Sequence, residues 1–263
     1  MDLERSMDLK WSFSEIEKQK VRNLVESHIA KKSPATIDRK IRNVESVPLT
    51  ISEEQLWYSH MMCLLTSVQR SGPRSHVMRF LALEPFPLTL SMCRDTKDSE
   101  EFIGSQLRSF GGIRFTDEIP RRAGINLRKL EAGGWGDCLA FAQRLAAQRK
   151  ESPHPAQYKL ESEAANYLDD NFIGFGPKQS RNFWQSLGLS RYLFVLDSRM
   201  VKWVKINMKI ANPILNEGFW SGNGLGDRSY YLFLSEILMD LCIQAEVLPC
   251  MLDAAVFDSF DEN

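Results

Sequence analysis

An all-α or nearly all-α fold is predicted by three observations. Apolar residues recur at helical spacing along most of the 263 residues, strand-type alternation is short and scattered, and Gly and Pro fall between the periodic runs. Ser14 opens a helix reaching about Ala30, with Ile16, Val21, Leu24, Val25 and Ile29 on one packing face, and a polar connector containing Pro34 follows. From Glu54 to Gln69, Leu56, Trp57, Met61, Met62, Leu64, Leu65 and Val68 form a core stripe. Ser71-Gly72-Pro73 breaks it before Val77 to Leu83 resumes. Further helices are expected at 99–110, 123–131, 136–149, 157–169, 177–187, 198–208 and 229–244. Residues 1–45 read as an N-terminal helical extension and 46–263 as one domain, with Pro153 to Pro155 as its candidate hinge.

Composition narrows the function classes. An apolar content of 43% supports a substantial core and argues against disorder. The net charge of -1 excludes a uniformly basic coat but leaves local clusters, Lys31, Lys32, Arg39, Lys40 and Arg42, and Lys202 to Lys209, as a basic face. Five cysteines without a CxxC pair fit free thiols in a reducing compartment, and no zinc, iron-sulfur or other metal site is expected. The four histidines include no i, i+4 pair and read as surface or capping residues. No signal-type or membrane-length apolar run is visible, so a cytoplasmic location is expected, with no cofactor and no membrane partner.

The most informative segment is Leu168-Asp-Asp-Asn-Phe172-Ile173-Gly174-Phe175-Gly176-Pro177-Lys178-Gln179-Ser-Arg181. A helix ends, two glycines make a tight turn, and Pro177 suits the first position of the next helix, giving a helix-hairpin-helix at about 160–187. Glycines there allow positive φ and expose backbone N–H groups beside the positive end of a helix, an arrangement suited to an anion. A nucleic-acid phosphate is the obvious one. Phe172, Ile173 and Phe175 would plug the hairpin into a core, while Lys178 and Arg181 add charge without sequence preference.

Ile173-Gly-Phe-Gly-Pro-Lys178 resembles the hairpin of the helix-hairpin-helix DNA glycosylase superfamily, whose Gly/Pro-rich loop ends in an aspartate. Asp197, nineteen positions after Lys178, falls where that aspartate falls. The resemblance spans about residues 50 to 260, and Leu248-Pro-Cys-Met-Leu-Asp253-Ala-Ala is similar to the end of bacterial members. Two departures stand out: Arg191-Tyr-Leu-Phe-Val-Leu196 lacks the proline usual before the aspartate, and residues 64–72 fit the groove-facing segment only loosely. Lysine at 178 implies a bifunctional glycosylase/AP lyase, of which the 8-oxoguanine enzymes are the best known, so removal of an oxidised purine, 8-oxoguanine first, is the expected activity. The resemblance also implies two helical subdomains flanking a DNA-binding cleft.

The chemistry asks for these residue types. A base inside a duplex must be flipped out, so the backbone must be gripped beside it. An unprotonated lysine can attack the sugar C1′, displace the base and leave an imine that permits β-elimination. The helix N-terminus, Arg181 and burial under DNA would each favour loss of the lysine proton. Asp197 would stabilise the positive charge developing on the sugar and relay the proton, and it would also cap the helix beginning at Ser198. The resemblance thus implies catalytic Lys178 and Asp197, with Ile173, Gly174, Phe175, Gly176, Gln179, Arg181, Arg199 and Gln69 meeting DNA. The expected partner is double-stranded DNA with a damaged base, bound by a monomer. Two rivals stay open, a monofunctional glycosylase for another damaged base and a non-catalytic DNA-binding adaptor. Other readings also remain paired: Gln69 as hole filler or solvated helix end, Arg199 as phosphate contact or salt bridge, Arg70 and Arg74 as phosphate contacts or surface charges, Gly133-Gly-Trp135-Gly136 as DNA approach or buried turn, and Trp220 as base stack or core.

Overall fold

The computed structural model describes residues 11–47, 50–67, 69, 72–208 and 225–261, which contain helices and no strand. In chain order they are α1 (Glu15–Ala30), α2 (Pro34–Arg39), α3 (Glu53–Leu65), α4 (His76–Leu81), α5 (Leu90–Asp95), α6 (Ser99–Phe110), α7 (Glu118–Lys129), α8 (Trp135–Arg149), α9 (Tyr158–Asn171), α10 (Pro177–Ser186), α11 (Ser198–Asn207), α12 (Arg228–Gln244) and α13 (Pro249–Asp261). Wide π-type turns at Lys40–Glu45 and Leu130–Gly134 extend α2 and join α7 to α8. Local chemistry sets several starts. Ser14 with Glu17, and Ser52 with Gln55, form reciprocal caps on α1 and α3, each worth about 1 kcal/mol.

Three departures from the sequence expectation have physical reasons. α7 begins at Glu118, five residues early, because Pro120 lies in its first turn, where a missing N–H costs no intrahelical bond. The polar connector after α1 is itself helical, and its first turn is tied down by a distant residue. Asp258 of α13 accepts hydrogen bonds from Ala35 N (3.1 Å), Thr36 N (2.7 Å) and Thr36 Oγ1 (2.7 Å). α13 lacks a polar face, since Cys250, Leu252, Ala254, Ala255 and Val256 are all buried, so it carries no amphipathic period.

Two apolar cores result. The first, drawn from residues 51–193, centres on Trp57, Leu64, Phe80, Phe183 and Trp184. The second joins Val21 and Val25 of α1 to Leu196, Met200, Trp203, Tyr231, Leu238 and Leu252. The face expected of α1 packs as anticipated at Val21 and Val25, although Ile16 is 72% exposed. α1 and α2 therefore pack on α13, in the half of the molecule that also carries residue 197.

Candidate active site

The hairpin forms where the glycines placed it. Phe172 ends α9, its carbonyl accepting from Phe175 N (3.2 Å), and Gly174 turns at φ +87. A Cβ at 174 would meet Leu64 Cδ2 at 2.9 Å and Arg122 Cδ at 3.0 Å, so both conformation and space require glycine. Gly176 differs from the expectation: its φ is −87, and what its missing side chain leaves is open space. No side chain caps α10, and the amides of Gly174, Gly176, Lys178 and Gln179 have no acceptor among the described residues. Such donors at a helix N-terminus suit a phosphate.

Phe172 and Phe175 are buried and plug the hairpin into the first core, each stabilising by about 1.5–3 kcal/mol. Ile173 does not; its side chain is 44% exposed at the tip, because its backbone is the part held down. Asn126 of α7 accepts from Ile173 N and donates to Ile173 O, both at 2.9 Å, and its Nδ2 also lies 3.0 Å from His60 Nε2. His60 packs on Trp57, Phe172 and Phe175, and burial pushes it down to about 3. It is therefore neutral, and with Asn126 oriented by Ile173, Nε2 is the acceptor. The surface reading fails for His60 and also for His28, which is buried between Ser33 and Ser259; His154 caps a short turn as expected.

Arg181 corrects a second expectation. It is 1% exposed, donates to Pro177 O (2.9 Å) and lies over the Tyr231 ring at 5.0 Å, so its charge braces the protein instead of meeting DNA. Gln179 is buried too, its Oε1 accepting from Asn182, and it contributes to the wall of a cleft shared with Lys178. Gln69 has both ends of its amide engaged, donating to Leu65 O and accepting from Arg114 N (3.0 Å), so in this structure it ties the segment at Arg114 to the end of α3. Gly133 to Gly136 form a turn under buried Trp135, and Arg74 lines a surface pocket with His76 and Arg114. Arg70 and Trp220 lie outside the described residues.

Asp197 is the N-cap of α11, its Oδ1 accepting from Arg199 N (2.8 Å) and Met200 N (3.2 Å). Arg199 Nε sits 3.4 Å from the other carboxylate oxygen, with its guanidinium 4.0 Å over the Phe257 ring, which is the salt-bridge reading of that arginine. Lys178, half-buried in the first turn of α10, has no ion-pair partner among the described residues. Lys178, Asp197 and Arg199 line both an open cleft of about 700 Å³, shared with Gly174 and Gly176, and a smaller recess of about 290 Å³. The lysine comes from the first core and the aspartate from the second, so the cleft lies where the two meet.

Groups invisible in the local sequence fix Asp197. Glu161 of α9, fully buried, accepts from Arg191 N (2.9 Å) and Tyr192 N (2.8 Å); burial raises it to about 7, against those bonds and nearby Arg149. Tyr231 Oη donates to Phe194 O (2.8 Å) and accepts from Leu196 N (2.9 Å), while Gln185 Nε2 donates to Leu193 O (3.1 Å). Asp253 of α13, unremarked as a site residue from sequence, lines the recess, where burial pushes it up to about 6. A lone carboxylate inside Met251-Leu-Asp-Ala-Ala-Val256 was the available signal. Among the described residues no cluster of three or more His, Cys, Asp or Glu is placed to hold a metal, and no helix is long and apolar enough to cross a membrane.

No protein-family model and no functionally curated protein matches the sequence. Solved structures do. The 8-oxoguanine DNA glycosylase of Methanocaldococcus jannaschii shares 15% identity over 94% of both chains, with a TM-score of 0.51. The same organism's 8-oxoguanine glycosylase/lyase, in complex with a 15mer DNA containing 8-oxoguanine, shares 15% over 91% of this chain and 94% of that one, at 0.54. The 8-oxoguanine DNA glycosylase of Thermotoga maritima shares 18% over 92% of this chain and 95% of that one, at 0.58. Coverage above nine-tenths extends the likeness well beyond residues 50 to 260 and into the N-terminal helices. The chain thus has the helical fold of these 8-oxoguanine DNA glycosylases.

Proposed function

We propose that the protein is a base-excision repair DNA glycosylase with AP-lyase activity, acting on an oxidised purine, 8-oxoguanine first among them. The carrying observation is that Lys178 and Asp197 line one cleft whose edge is the hairpin with unpaired amides. The hairpin amides hold a phosphate beside the target nucleotide, which is extruded into the recess. The Lys178 amine forms a bond to C1′ as the bond from C1′ to the base nitrogen breaks, and the proton that the new C1′–N bond makes acidic passes by way of Asp197 to the departing base. Asp197, fixed by its cap bonds, stabilises the cationic sugar. Ring opening leaves an imine, loss of the C2′ proton expels the 3′ phosphate, and water then releases the lysine. The working partner is a damaged duplex, bound by one copy of the chain.

A base-release panel across duplexes carrying oxidised purines and pyrimidines tests this. Release of 8-oxoguanine opposite cytosine with strand nicking is the expected result. Duplex binding without release of any base would leave only an anchoring module.

A further inference from the structure

The recess that Lys178 lines also holds a charged pair that the proposed chemistry does not use. Arg39, from the end of α2, donates from Nη1 to Asp253 Oδ2 at 3.1 Å, and both side chains line the recess at 15% and 11% exposure. Arg39 Nε is buried without a hydrogen-bond partner. Removing such a pair from water costs several kcal/mol, and apolar residues of similar volume often hold a fold equally well. Anchoring does not need it. Asp258 already secures the start of α2 with three hydrogen bonds, and Asn43 Nδ2 secures the turn after it through Gln185 O (2.9 Å) and Ser190 O (2.8 Å). Half of the remaining lining residues are apolar, Met62, Met78 and Phe257 among them, which suits the faces of a flat ring, and of the charged ones Arg42 is already paired with Asp38 and Arg199 with Asp197.

We infer that the Arg39–Asp253 pair determines specificity by reading the edge of the extruded base, and that the edge it fits is that of a guanine-type lesion. Guanine presents a ring N–H beside an amino group, two adjacent donors for the two oxygens of one carboxylate, and next to them an exocyclic oxygen that accepts from the guanidinium. An adenine edge has one donor beside a ring nitrogen lone pair, which would face a carboxylate oxygen without a proton between them. This rests on the glycosylase reading above, and it gives the N-terminal helices a role in substrate choice: α2 delivers the arginine and α13 the carboxylate.

The test compares single-turnover base release from an 8-oxoguanine duplex with nicking of a preformed abasic site, where no base fills the recess. For Arg39→Gln and Asp253→Asn, the ratio of base release to abasic-site nicking falls about 10- to 100-fold, the loss expected for a good base-edge contact. The double variant Arg39→Met with Asp253→Leu shows the same fall while melting within a few degrees of wild type. An unchanged ratio overturns the inference, as does loss of both activities in step, because the pair would then merely hold the site. A wild type that releases adenine-type lesions in preference to guanine-type ones also overturns it and leaves the proposed function standing. A wild type with neither activity fails the proposed function itself, and this inference with it.

Discussion

The hairpin at 172–176 and the segment at 188–197 deliver the two sides of one cleft, and they are built by opposite means. The hairpin is held by its own sequence: Gly174 supplies the positive φ, Phe172 and Phe175 the plug, and one side chain, Asn126, grips its tip. The segment before Asp197 has no proline and no glycine after Gly188, and its shape is imposed from outside by Asn43, Glu161, Gln185 and Tyr231. The phosphate grip therefore leans on one distant hydrogen-bonding side chain, Asn126, whereas the carboxylate depends on side chains from four other segments.

Four substitutions break or sharpen that contrast. Asp197→Asn keeps a good helix cap, so the protein melts as wild type, but base release falls about 10²- to 10³-fold with the loss of charge stabilisation; stopped-time excision assays beside a thermal melt check both halves. Tyr231→Phe orphans Leu196 N and Phe194 O, costing about 1–3 kcal/mol. Its displacement of Asp197 lowers excision about tenfold, while affinity for undamaged duplex, read by fluorescence anisotropy, stays within twofold of wild type. Gly174→Ala reverses the pattern, because a side chain at that φ costs roughly 1–2 kcal/mol and crowds Leu64 and Arg122. Undamaged-duplex affinity weakens severalfold, and turnover of bound substrate changes little.

The smallest effect on rate belongs to Glu161, and it shows as pH dependence of stability. Its folded value is raised from 4.5 to about 7, so the stabilisation tied to its protonated form is complete below about pH 4.5 and is lost as pH rises through 7. Between pH 8 and 5.5 this one group adds about 2 kcal/mol on acidification. Melting temperatures across that range should rise less on acidification, or fall more, in Glu161→Gln than in wild type. Parallel curves would mean that the buried carboxyl does not titrate there.

Local signals were legible in the sequence and imported ones were not. The glycine pattern located Lys178, and Asp197 was readable as a cap before Ser198. Arg181 was misread because α10 buries the polar Gln179, Arg181 and Gln185 beside Phe183 and Trp184, and an apolar period does not mark which polar residues turn inward with it. Asn126, His60, Glu161, Tyr231 and the Arg39–Asp253 pair acquire their roles only through contacts between remote segments, which periodicity does not encode.

The central claim is that the amine of Lys178 attacks the sugar, and borohydride trapping tests it most directly. Incubated with an 8-oxoguanine duplex and reductant, wild type should yield a covalent protein–DNA adduct whose peptide map places the modification on Lys178. Lys178→Gln should bind the same duplex but form no adduct and leave the strand intact. Base release by wild type without an adduct, or nicking retained by Lys178→Gln, would contradict the account.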